Sequence, residues 1–411
     1  MSRSSIGLVF VFLYVVLTFA VSLWSARRNQ SSYEFFIAGR RLGPATVGLG
    51  SAAGALPSGV LIALSSAAYY WGLAAVWTGV ALLLGTLVNW FYVAPRLRAL
   101  SLVHDSRSLT QIISVDAGER TQRRVAWSAA MITILAFFLL ASVQLRVAGS
   151  MMEHTFHWSS STAAICALVV VVGYTAVGGL FAIGVLSAVH AVVTLCILFI
   201  LTMYAVNAVG GPAAIIAALT DMRTSGDGWL SARSGVVALA FVLGTLGPGL
   251  GQCGQAQITH RFMALKDAAF MPRARAFAIG WTVAMVLCTL IVGWCAKVLI
   301  AELGGFDVLT ELAARRLPTV LGVTVPFALI VSMISSIDLM LLLITAAVTS
   351  DTRPASASAS LEFARVFLPV LAVGIVSFAF NVPLSSAESA EFAVNVLSAA
   401  FAPLMLVRLS G

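Results

Sequence analysis

Apolar residues run through this chain in long stretches, broken by short segments where arginine, glycine and proline gather. A membrane-spanning helix takes about 20 such residues. Reading the runs against the breaks predicts an all-α integral membrane protein with about eleven transmembrane helices, at roughly 5–26, 43–66, 69–95, 125–150, 160–180, 184–208, 234–257, 276–300, 319–349, 361–382 and 391–408. Composition agrees: 60% of the 411 residues are hydrophobic, 10% are charged, and mean hydropathy is +1.00. A soluble domain holds about 25% charged residues. Lipid is therefore the solvent for most of the chain.

The polar breaks set an orientation. Arg27, Arg28, Arg40 and Arg41 follow the first run, and Arg96, Arg98, Arg107, Arg120, Arg123 and Arg124 the third. Arg261, Lys266, Arg273 and Arg275 follow the seventh; Arg353, Arg365 and Arg408 complete the set. All fall on one side if eleven spans alternate, and the positive-inside rule makes that side the cytoplasm. The N-terminus is then extracytoplasmic and the C-terminus cytoplasmic, in a bacterial inner membrane. Glu153, Asp221, Asp227, Glu302, Asp307 and Glu311 lie on the opposite side. The net charge of +8 is thus a topology signal, and the bilayer, not nucleic acid, is the expected partner. The first run, Ile6 to Trp24, is too long for a signal-peptide core and reads as a retained span. The five cysteines are scattered inside apolar segments without metal-ligand spacing and read as small buried residues.

With the first span set aside, the other ten form two sets of five, and the first helix of each set is interrupted. One interruption reads Gly50-Ser51-Ala52-Ala53-Gly54-Ala55-Leu56-Pro57-Ser58-Gly59; the other runs from Gly244 through Pro248 to Gly254. Glycine and proline at that density do not keep a continuous hydrogen-bond ladder. Unwound backbone at membrane depth is tolerated where it lines a cavity, and paired broken helices point to a transporter binding site. The alternative is that the glycines only permit close helix packing.

Ionisable side chains inside spans are costly, so each is a functional candidate. Asp338 follows Ser332, Ser335 and Ser336, which keep i, i+3, i+4 spacing, and hydroxyls, a carboxylate and free carbonyls are ligands a small hard cation prefers. The bland alternative pairs Asp338 with Arg146 or His190, or protonates it. His190 reads as a structural histidine before a proton relay. Arg146, near Gln144, is expected to meet an anionic solute or to neutralise Asp338. Asp351 and Arg353 read as a structural cap on the ninth span. No paired carboxylates, nucleophilic triad or phosphate loop is present, so the chain is not expected to be an enzyme.

Several stretches together resemble the sodium/solute symporter family, particularly its sodium/proline branch. They are Phe36-Ile37-Ala38-Gly39-Arg40-Arg41-Leu42-Gly43-Pro44, the broken segment through Ser58-Gly59, and Tyr174-Thr175-Ala176-Val177-Gly178-Gly179-Leu180. Gly254-Gln255, Arg261-Phe262-Met263-Ala264, Ser335-Ser336 and Val348-Thr349-Ser350-Asp351 follow in the family's order. The resemblance implies a LeuT-type inverted repeat of five plus five helices behind one extra helix. On that plan 1–42 is the extra helix and its loop, 43–208 the first repeat, 209–232 an extracytoplasmic loop and 233–411 the second repeat.

It also implies a sodium site at the carbonyls of Gly54, Pro57 and Ser332 and the hydroxyls of Ser335 and Ser336. The solute would lie near Ser58, Leu140, Gln144, Gln252 and Ala256. The sequence departs from the pattern in three ways. Leu56 stands where the proline branch has an aspartate. Ser187 stands where members with a second sodium site have one, while Asp338 occupies a position that is usually serine. The chain also ends at Gly411, where proline-type relatives carry further helices. The expectation is that the carboxylate has crossed the site and Asp338 helps hold the coupling ion. Leu140, Pro248 and Gln252 replace the aromatic side chains of proline-type relatives, which favours another small amino acid or organic acid. The expected function is sodium-coupled symport of a small organic solute by alternating access, with no organic cofactor. Two readings stand beside it: a regulatory or sensory membrane module derived from a transporter, and proton coupling through Asp338 or His190.

Overall fold

The computed structural model describes residues 3–29, 31–114, 118–224, 228–300, 302–303, 307–351, 357–382 and 386–410. Its helices, in chain order, are α1 (Arg3–Ala26), α2 (Ser32–Ile37), α3 (Pro44–Ala55), α4 (Ser58–Trp71), α5 (Val76–Val88) and α6 (Ala94–Val103). Then come α7 (Leu109–Ser114), α8 (Glu119–Phe156), α9 (Ser160–Val209), α10 (Pro212–Thr224), α11 (Gly235–Gly251) and α12 (Ala256–Met263). The last five are α13 (Met271–Leu299), α14 (Val308–Arg316), α15 (Thr319–Ala346), α16 (Ala357–Asn381) and α17 (Ser386–Ser410). Arg353 lies outside the described residues, as does the side chain of Asp351.

Among the described residues nine helical runs are long and apolar enough to cross a membrane, against the eleven expected. The difference arises at two places. Ser58–Val103 is one run because α4 passes through a 3-10 turn at Gly72–Ala75 into α5 and α6, leaving α3 too short to count. Ser160–Val209 is one run of 50 residues, about 75 Å if it were straight. It is not straight: Gly179 has φ 53° and ψ −161°, a backbone open to glycine but strained for an L side chain. Neighbouring carbonyls at this bend take donors from the first helix and the turn that follows it. Ser22 Oγ donates to Tyr174 O at 2.8 Å, Ser25 Oγ to Gly178 O at 3.2 Å, and Asn29 Nδ2 also to Gly178 O.

Burial ranks the helices. In its most apolar window α15 is 78% buried and α1 only 22%, so α15 is central and α1 peripheral. Leu8, Phe12 and Leu13 on α1 stay exposed because lipid is as good a solvent for them as a protein core. The central helix packs on α8 and α9; α13 packs on α3, α4 and α9; α11 packs on α5, and α17 on α8.

Candidate functional site

Proline makes the first break. Pro57 has no N–H to offer Ala53, so α3 stops after Leu56 N bonds Ala52 O at 3.0 Å. Leu56 (φ −125°, ψ 61°) and Pro57 (φ −63°, ψ 160°) leave the helical region, and α4 restarts at Ser58. The carbonyls of the last turn of α3, Gly54 among them, lose their helical donors, and this C-terminal end carries partial negative charge. The carbonyl of Pro57 already accepts from Val60 N at 2.8 Å and Leu61 N at 3.3 Å.

The second break falls elsewhere than expected. The glycine-rich segment around Pro248 stays helical, and the chain leaves the helix only at Gln255 (φ −84°, ψ 107°). Here the packing alternative holds for part of the segment: Gly249 lies directly on the Ala81 carbonyl, and Gly85 on the Gly249 carbonyl, so α11 and α5 touch backbone to backbone. The inner halves α3 and α12 also meet closely, since a Cβ on Gly54 would come within 3.1 Å of Gln257 O.

Arg261 joins these halves. Counted as a loop residue from sequence, it is in fact 2% exposed on α12. Its Nη1 donates to Gly50 O of α3, and its Nη2 to Ser187 Oγ of α9 at 2.9 Å. The guanidinium therefore sits beside the residue that replaces the second-site aspartate.

The central helix separates residues that sequence had grouped. Asp338 is fully buried and accepts a 2.8 Å hydrogen bond from Tyr174 OH on α9; its other oxygen has no partner. Ser336 Oγ contacts Gln144 Oε1 on α8 and lies 2.7 Å from Met333 O. Two positions on a helix point about 200° apart. Ser336 and Asp338 thus face different neighbours, while Ser332 and Ser335 lie on adjoining turns. Arg146 does not reach Asp338: its Nη1 donates to Val382 O at 2.9 Å. Nor does His190 bond it. That ring lies 5.6 Å from the Tyr14 ring, with both nitrogens buried and unpartnered.

Of the expected solute contacts, Ser58 Oγ donates to Leu329 O of α15 at 2.8 Å, and Leu140 and Gln144 face inward from α8. Gln252 is 3% exposed, with its Oε1 unpartnered against Gly85 of α5, and Ala256 begins α12. Sequence reasoning missed Tyr174 and Arg261. The apolar flank Phe262-Met263 hinted that Arg261 is inside, but nothing local marks Tyr174 as the partner of a residue so far along the chain.

Hydrogen bonds tie together the arginine-rich ends of several helices. Arg40 donates to Tyr33 OH (2.9 Å), Ser101 Oγ (2.7 Å), Ser101 O (2.8 Å), Ser106 O (3.1 Å) and Met263 O (3.3 Å). Leu42 N bonds Ala264 O and Lys266 N bonds Leu42 O, while a ring nitrogen of His260 lies 2.8 Å from Phe36 O. These contacts pin the approach to α3 onto the end of α12.

Two helices broken at Pro57 and Gln255 and packed around buried polar groups are the pattern of a secondary-transporter fold. The sodium:solute symporter family model matches residues 35–410, and the chain belongs to that family. Among curated relatives, the osmoregulated proline transporter OpuE of Bacillus subtilis is 23% identical, over 97% of this chain and 82% of its own length. The sodium/proline symporter of Escherichia coli is 24% identical, over 96% and 81%. Among solved structures, a Na+-coupled sialic acid symporter in a substrate-bound outward-open state superposes with a TM-score of 0.84 at 14% identity, covering 98% of this chain and 86% of that one. A manganese transporter from Eremococcus coleocola shares the fold more loosely, with a TM-score of 0.51 at 15% identity over 93% and 80% of the two chains. The fold is LeuT-type, and the family is one of transporters, not enzymes. Among the described residues no group of three or more histidine, cysteine or acidic side chains is placed to hold a metal ion.

Proposed function

We propose that the chain couples inward sodium flow to uptake of a small organic solute, an amino acid or organic acid, by alternating access. One observation carries the reading: the Ser58–Leu329 hydrogen bond lays the first break against α15, one turn before Ser332. The carbonyls of Gly54 and Pro57 then belong to the same junction as Ser332, Ser335 and Ser336, and these five residues are the proposed sodium ligands. The C-terminal end of α3 adds partial negative charge, which favours a cation. The solute is proposed to bind beside it, near Ser58, Leu140, Gln144, Gln252 and Ala256. The N-terminal end of α4 favours an anionic group there, as for a carboxylate.

The proposed frame has eleven crossings, with Ser160–Val209 counted twice because it bends at Gly179 and is about twice a membrane's needs. One extra helix (1–42) precedes five (43–208) and five (233–411) helices, with 209–232 as the connecting loop. The N-terminus is extracytoplasmic and the arginine-rich side cytoplasmic. Sodium would steady the arrangement that is closed on that side and raise solute affinity by the factor that solute raises sodium affinity.

Purified protein melted in sodium, potassium and choline at equal ionic strength tests the ion. A ligand that binds only the folded state raises stability by mass action. A sodium-specific rise supports the reading and opens a solute screen in sodium-loaded vesicles. Equal melting in all three salts, with uptake driven by a pH gradient, would transfer the role to protons.

A further inference from the structure

We propose that the arginine-rich end of α8 binds an anionic phospholipid, its headgroup phosphate held by Arg120, Arg123 and Arg124 and an acyl chain laid along Trp127, Met131 and Leu135. The three arginines and Trp127 line one open cleft of about 300 Å³. They keep i, i+3, i+4, i+7 spacing, so a single stripe of the helix carries them. Met131 and Leu135 continue that stripe, and Trp127, Met131 and Leu135 are 45%, 47% and 62% exposed. Charge, indole and apolar side chain thus follow in the order of headgroup, interface and acyl chain in a leaflet. From Arg124 to Leu135 the helix rises about 16 Å, roughly the depth of one leaflet of a 30 Å hydrocarbon core.

These arginines differ from others on the same side in having no partner within the chain. Arg40 and Arg98 donate to backbone carbonyls, Arg28 and Arg275 lie over aromatic rings, and Arg107 pairs with Asp105. Among the described residues Arg120, Arg123 and Arg124 make no hydrogen bond, ion pair or ring contact, and Glu119, four residues before Arg123, does not pair with it. Residues 119–124 therefore carry a charge of +2, three arginines less one glutamate. Guanidinium forks match phosphate oxygens in pairs. A net positive stripe favours an anionic headgroup over a zwitterionic one, whose ammonium cancels its phosphate.

Brominated phospholipids, which quench tryptophan on contact, test the site on the purified full chain in phosphatidylcholine discs. The difference between the parent and Trp127→Phe isolates the signal of Trp127 from the other tryptophans. Brominated phosphatidylglycerol should quench that signal at a mole fraction at least about tenfold lower than brominated phosphatidylcholine requires. Arg120→Gln, Arg123→Gln and Arg124→Gln should each weaken the preference by up to about fivefold, and the triple variant should lose it. Arg28→Gln, on α1, should keep it.

Equal quenching by the two lipids in the parent, or a preference that survives the triple variant, overturns the site. Loss of the preference in Arg28→Gln as well would assign it to the charge of the whole surface and overturn the cleft. Displacement by millimolar inorganic phosphate, against chloride of equal ionic strength, would make the ligand a free anion and overturn the lipid. The arginine variants should melt like the parent in phosphatidylcholine alone, since these side chains have no partner in the chain to lose. A lowered melt would give them a role inside the fold instead. None of these outcomes depends on whether sodium or a solute binds.

Discussion

Ser58 and Leu329 are 271 residues apart in the chain, yet the hydroxyl of one lies 2.8 Å from the carbonyl of the other. The bond fastens the start of α4 to the central helix one turn ahead of the serine row. It compensates for a carbonyl in α15 that would otherwise have only its helical donor. Ser58→Ala should cost about 1 kcal/mol of stability. It should also shift the sodium midpoint of the melting curve upward, because the break loses its seat. An unchanged midpoint would separate the break from the ion.

Ser335→Ala and Ser336→Ala probe the proposed ligands directly. Each should abolish the sodium-specific rise in melting temperature while moving the choline melt little, as one neutral hydrogen bond contributes only about 1 kcal/mol. Retention of the full rise in both variants would place the ion elsewhere.

Two glycines of similar appearance in the sequence should respond in opposite ways. Gly179 has positive φ, and a Cβ there would lie 2.9 Å from Phe35 O. Gly179→Ala should destabilise by about 1–3 kcal/mol from the backbone conformation alone. Gly244 is helical with nothing within 4 Å of a built Cβ. Gly244→Ala should be neutral or stabilising by up to about 1 kcal/mol. Thermal or chemical denaturation in detergent reads both.

Arg40 joins the segment before α3 to Ser101, Ser106 and Met263. Arg40→Ala should loosen this side, seen as faster reaction of an Ala256→Cys reporter with a water-soluble maleimide, once the exposed Cys166 and Cys196 are replaced. Equal labelling rates with and without Arg40 would show that these bonds do not gate the path.

Asp307 lies outside the spans and caps α14, with Oδ1 accepting from Thr310 N at 2.9 Å. Burial pushes its carboxyl above the usual 3.8, and the bonds to Thr310 pull partly back. A raised folded value means the native state binds the proton more tightly than the unfolded chain does. The resulting stability is full below pH 3.8 and is lost as pH rises through the folded value. Asp307→Asn keeps a capping side chain without the charge. Its melting temperature should vary less with pH over that interval than the parent's; parallel curves would contradict the assignment.

The membrane, the helices and their breaks were legible because they follow from local chemistry. A run of apolar residues identifies its solvent wherever it folds, and Pro57 removes a backbone donor whatever surrounds it. The short motifs from Phe36 to Ser350 likewise pointed to the family that the whole-chain match establishes. Pro248 shows the limit of that logic. Its missing N–H did not end α11; Gly249 beside it lies directly on the Ala81 carbonyl of α5, and the chain leaves the helix at Gln255. The partners of Asp338 show it again. Sequence offered Arg146, His190 or a cation for this carboxylate; the fold brings Tyr174 to one of its oxygens and turns Arg146 to the Val382 carbonyl. A charge inside a membrane must be compensated, so sequence alone determines that Asp338 needs a partner. Which group provides it depends on how α9 and α15 converge, and only tertiary packing decides that.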